Sequence, residues 1–70
     1  MKQFIVMPEN SRFYTVEAMT AETAYCAVCC WYSPEKPVAI MDAATGATVI
    51  YTRQLDSAGN LLQIKKGATV

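Results

Sequence analysis

The sequence contains no histidine. That absence removes the usual general base of nucleophilic catalysis, so neither a Ser-His-Asp nor a Cys-His system can be assembled. No glycine-rich loop is available to cradle a phosphate. Neither sign of charge is in excess: six basic residues balance six acidic ones, interspersed along the chain. A basic block that would hold phosphates is missing, and so is an acidic tail. No pattern pairs any two of the carboxylates for acid–base work. No apolar run approaches the ~20 residues of a membrane-spanning helix, so no membrane partner is expected. The N-terminus shows no long apolar stretch behind a basic region, so no secretory signal is expected. Catalysis and a bound cofactor are therefore not expected.

What is present is apolar. Seventy residues, 53% hydrophobic against 17% charged, make one domain that is too apolar for disorder. A chain this short buries only roughly 60% of its unfolded surface and is marginal alone. Oligomerisation, a metal or disulfides often stabilise such domains. The apolar surplus points to a covered surface.

The surplus is concentrated in Thr20–Tyr32, TAETAYCAVCCWY, whose one charge is Glu22. Thr20 is suited to N-cap a helix, and Glu22 lies near the positive end of its dipole. Ala21, Ala24 and Ala27 supply helix propensity, and Pro34 ends the element. At about 100° per residue, Ala21, Ala24, Tyr25, Val28, Trp31 and Tyr32 share a core-facing stripe. The opposite face carries Thr23, Cys26 and Cys30, flanked by Cys29 and Ala27, where a surface helix normally places charges. The expected cover is the chain's own C-terminal segment, a second copy or a partner.

Around the helix lie strand signals: Lys2–Met7, Arg12–Ala18, Val38–Asp42, Ala47–Arg53 and a short Leu61–Lys65. Turn clusters separate them, with Gly46 placed for a positive φ. The order is β-β-α-β-β, with a fifth strand at the end. This predicts an α+β domain over residues 1–66, one helix packed on a four- to five-stranded, mostly antiparallel sheet, and a frayed tail over 67–70. Ala24, Val28, Trp31 and Tyr32 should meet Phe4 or Ile5, Val16, Ile40 and Ile50. The element order resembles the β-grasp arrangement of ubiquitin-like domains. That resemblance implies a helix lying across a mixed sheet.

Three constellations could carry chemistry. Cys26, Cys29 and Cys30 include the Cys-x-x-Cys spacing of a soft-metal knuckle or a redox pair. With no fourth cysteine and no histidine, however, the ligand set is incomplete. The thiols also lie too far inside the helix for its dipole to activate them. Their expected role is that of small hydrophobes, with no metal site. Arg12, Tyr14, Tyr51, Arg53 and Lys65 would together suit stacking and phosphate contact with a nucleic acid, against which the balanced charge argues. Asp42 and Thr45, and Asp56, Ser57 and Asn60, surround glycines and are explained by turn chemistry.

The sequence thus supports a small non-catalytic protein-interaction module, self-associating or partner-bound through the apolar helix or a sheet edge. Cys26, Cys30, Thr23 and Ala27 are its candidate interface. A nucleic-acid-binding accessory protein and a thiol-based metal or redox sensor are the alternatives. The clustered, odd-numbered cysteines favour a reducing, cytoplasmic setting.

Overall fold

In a computed structural model, the described residues are 1–69, with side chains placed as far as residue 67. One helix lies on a five-stranded antiparallel sheet, an α+β arrangement of the expected class. The elements are β1 (Lys2–Pro8), β2 (Tyr14–Ala18), α1 (Ala21–Val28), a 3₁₀ turn (Cys29–Trp31), β3 (Val38–Asp42), β4 (Thr48–Leu55) and β5 (Leu61–Thr69). The strand order across the sheet is β2-β1-β3-β4-β5.

β1 lies between β2 and β3, pairing Phe4 with Val16 on one side and Val6 with Ile40 on the other. Every strand pairing is antiparallel. The mixed sheet implied by the β-grasp resemblance is therefore not present, and the likeness ends at element order. The reason lies in the connections. β2 and β3 both run against β1, so α1 crosses between two parallel strands separated by β1. β5 then follows β4 as a hairpin at the far edge rather than returning to the centre.

The helix begins as its sequence predicts. Thr20 is extended, and its Oγ1 accepts from the Thr23 backbone N–H at 3.2 Å. It ends earlier than the apolar run does. Val28 turns to φ −117°, and Cys29–Trp31 form a 3₁₀ turn before Tyr32 becomes extended. Val28 departs from regular helical geometry, so the 100° spacing of the stripe does not carry through to Trp31. Ala24, Tyr25 and Val28 are buried as expected, but Trp31 is 78% exposed. The expected core position of Trp31 is thus corrected.

The core combines Phe4 and Val6 of β1, Ala18 of β2, Val38 and Ile40 of β3, and Tyr51 of β4 with the buried face of α1. Val16 and Tyr32 pack against it, half-buried. Of the two alternatives Phe4 and Ile5, Phe4 faces α1. One further expectation changes: Tyr51 takes the place assigned to Ile50, which lies on the other side of the sheet. Gly46 adopts φ +77° in the β3–β4 turn, as that turn demands. β5 continues to Thr69, beyond the expected Lys65 end. Residues 67–69 of the expected tail therefore belong to a strand, and Val70 lies outside the described residues. Because β5 lies at the sheet edge, the C-terminal segment, as far as Thr69, does not cover α1.

Candidate functional site

Where α1 ends, the chain must leave the helix and reach β3 through Ser33–Pro37. Two contacts hold the helix end. The Arg53 guanidinium of β4 donates to the Cys29 carbonyl, which also accepts from the Tyr32 backbone N–H at 3.1 Å. The Arg53 backbone N–H donates to the Pro34 carbonyl at 3.2 Å. With the end fixed to β4, Trp31 and Tyr32 are directed towards β2 at the opposite edge.

There they form an open groove of about 430 Å³ with Tyr14 and Val28. Val28 supplies a buried floor, and the three aromatic rings supply the walls. Tyr14 Oη and Tyr32 Oη are hydrogen-bonded at 2.5 Å, which ties the walls together. Desolvation pushes the Tyr14 phenol well above its ordinary value, and the Tyr32 hydrogen bond and charge push it further. The Tyr14 phenol thus keeps its proton in ordinary conditions, and no acidic or basic residue lines the groove. β2 borders it, and among the described residues no strand pairs with the outer edge of β2.

The outer face of α1 leads towards this groove. Thr23, Cys26, Ala27 and Cys30 are all exposed, so no described residue of the chain covers the expected interface. The thiols of Cys26, Cys29 and Cys30 lie on or beside this face. All three are free, and Cys29 Sγ donates to the Cys26 carbonyl at 3.4 Å. Partial desolvation, then Cys29 and Glu22, push the Cys26 thiol up, which lowers its thiolate fraction at neutral pH. Among the described residues, no three Cys, Asp or Glu side chains gather in a metal-binding cluster.

The five residues considered for nucleic-acid contact do not share a surface. Tyr51 is 2% exposed and stacked under Tyr25, so no base can reach its ring. Tyr14 faces the groove at one edge of the sheet, with exposed Arg12 just before it. Arg53 and Lys65 border an open cleft by Pro34 and Glu35 near the other edge. Arg53 is already engaged with Cys29.

Sequence reasoning missed the groove, although it named Tyr14, Val28, Trp31 and Tyr32 individually. The available signal was Pro34, which drives the residue before it out of helical geometry and makes a straight extension of the helical stripe to Tyr32 unsafe. Compared with protein-family models, with curated proteins and with solved structures, the chain matches none of them. Among the described residues, no helix is long and apolar enough to cross a membrane.

Proposed function

We propose that this chain is a non-catalytic protein-interaction module that receives an extended apolar segment of a partner protein in the groove at the end of α1. The observation that carries this reading is Trp31, 78% exposed beside Tyr14, Val28 and Tyr32. Leaving an indole in water forgoes roughly 1.5–3 kcal/mol of burial, and tryptophan is the residue type most enriched at binding hot spots. The unpaired edge of β2 supports an extended ligand, because its free N–H and C=O groups can bond to an added strand. An apolar side chain of that strand would enter the groove. The Thr23, Cys26, Ala27 and Cys30 face extends the surface available to the partner. Exposed Cys26 and Cys30 suit a reducing compartment such as the cytoplasm, where they stay free.

The test is selection of a displayed peptide library on the wild-type protein, with counter-selection on Trp31→Ala. An enriched consensus with an apolar anchor, whose binding shifts the emission of the sole tryptophan, supports the proposal. Enrichment that is equal on the two proteins overturns it.

A further inference from the structure

The groove at the end of α1 offers aromatic walls and very few hydrogen bonds, and those few narrow what can enter it. Among Tyr14, Val28, Trp31 and Tyr32, the polar side-chain atoms are two phenol oxygens and one indole nitrogen. The two phenols bond to each other at 2.5 Å. Whichever ring donates, the hydroxyl proton of the other remains free. Trp31 Nε1–H, which can only donate, has no side-chain hydrogen bond among the described residues. Two donors are therefore open. No carboxylate lines the groove, so an incoming N–H finds only phenol oxygens, whose lone pairs are shared with their rings.

That balance favours a ligand rich in acceptors and poor in donors. Proline has this character, because its backbone nitrogen carries no hydrogen. Its entry strands no N–H against the aromatic walls, and its ring supplies apolar surface to them. The carbonyl that precedes a proline belongs to a tertiary amide, a strong acceptor for the indole or phenol proton. In a run of prolines the chain forms no internal hydrogen bonds, so every carbonyl is available. Leucine or phenylalanine would fill the same space, but each brings a backbone N–H with it. A lysine ammonium brings three donors and finds no carboxylate.

We infer that the residue seated in the groove is proline, within a proline-rich segment of the partner protein, which rests on the groove being a peptide site. Aromatic-lined grooves are a recurring surface for such segments. Proline fixes its own φ and holds the preceding residue extended, so the segment loses little freedom on binding. The free edge of β2 suits the same ligand, since flanking residues other than proline keep the N–H groups that pair with it.

Titration of the ¹⁵N-labelled protein with a capped hexaproline peptide tests this, followed by the indole N–H signal of the sole tryptophan. A capped peptide of equal length alternating valine and threonine is the control. Hexaproline should shift the indole signal saturably and bind at least about tenfold more tightly than the control. Trp31→Phe keeps a ring and removes one donor; Tyr14→Phe/Tyr32→Phe keeps both rings and removes the other. Each should weaken hexaproline binding about two- to tenfold, read from backbone amide shifts, with circular dichroism showing that the fold persists. Hexaproline that gives no saturable shift, or that binds no better than the control, overturns the inference. So does binding that both variants leave unchanged. Saturation by tetramethylammonium in place of hexaproline would make the rings a cation site and overturn it as well. Selection that enriches a leucine or phenylalanine anchor dependent on Trp31 would uphold the peptide site and overturn proline alone. Selection that is equal on the wild type and Trp31→Ala removes both.

Discussion

Tyr25 and Tyr51 stack with ring centroids 5.3 Å apart and planes inclined by 17°. This contact joins α1 to β4 at the centre of the core, where both rings are almost completely buried. The pair is imperfect in one respect: Tyr25 Oη is buried with no hydrogen-bond partner. The nearby Arg53 guanidinium donates to Cys29 instead.

Removing that hydroxyl should help the fold. A buried unpaired polar group costs about 1–3 kcal/mol, whereas Phe keeps the ring and the stack. Tyr25→Phe should therefore raise the urea midpoint, by about 1 kcal/mol of stability. Tyr51→Ala, which empties the other half of the stack, should cost about 3–5 kcal/mol. A less stable Tyr25→Phe would mean that water or Arg53 satisfies the hydroxyl in solution.

Alkaline pH acts on the same rings. Burial raises the Tyr25 and Tyr51 phenols above their ordinary 10.0; Arg53 partly opposes this at Tyr25, and Glu22 and Cys26 add to it at Tyr51. Tyr14 is raised by desolvation and by its Tyr32 hydrogen bond. Between the unfolded and folded values, the unfolded chain binds fewer protons, so stability falls as pH rises. Stability should hold from neutrality to about pH 9 and fall beyond about pH 10. Cys26, raised from its ordinary 9.0, acts in the same direction from lower pH. Tyr51→Phe isolates the phenol effect: its urea midpoint should decline less steeply above pH 10 than that of the wild type. Equal slopes would sink this account.

The elements were legible in the sequence where one local cause decides them. Thr20 caps the helix, Gly46 permits its turn, and β-branched residues mark β4. Facing was harder. Val49, Ile50 and Tyr51 are all apolar, so alternation in β4 reads equally well in either phase, and only pairing with Val38 and Ile40 selects Val49 and Tyr51 for the core. Strand order was not legible at all, because β1 finds β3 across the whole helix. The exposure of Trp31 was hidden for another reason: it depends on a 3₁₀ turn held partly by Arg53, 22 residues later in the chain.

That long-range hold leads to a prediction for Arg53. Its guanidinium satisfies a carbonyl at the negative end of α1, a charge-assisted bond of about 1.5–3 kcal/mol. Partial solvent access reduces this, so Arg53→Ala should destabilise by about 1–2 kcal/mol. It should also loosen the 3₁₀ turn. Hydrogen exchange at the Tyr32 amide, which donates to the Cys29 carbonyl at 3.1 Å, reports that loosening separately from global unfolding. An unchanged exchange rate would show that Pro34 alone sets the turn.

Trp31 gives the sharpest contrast between reading the chain as one straight helix and reading it with the turn in place. A tryptophan on the buried stripe would cost about 3–5 kcal/mol when truncated to alanine. At 78% exposure, Trp31→Ala should instead change stability by less than about 0.5 kcal/mol. The indole should also emit nearly as it does in the unfolded chain, since water surrounds it in both states. Chemical denaturation followed by circular dichroism gives the first quantity, and fluorescence of the same samples gives the second. A large stability loss with blue-shifted emission would return Trp31 to the core and remove the groove. A neutral substitution leaves the indole available for a partner, where its removal is expected to matter.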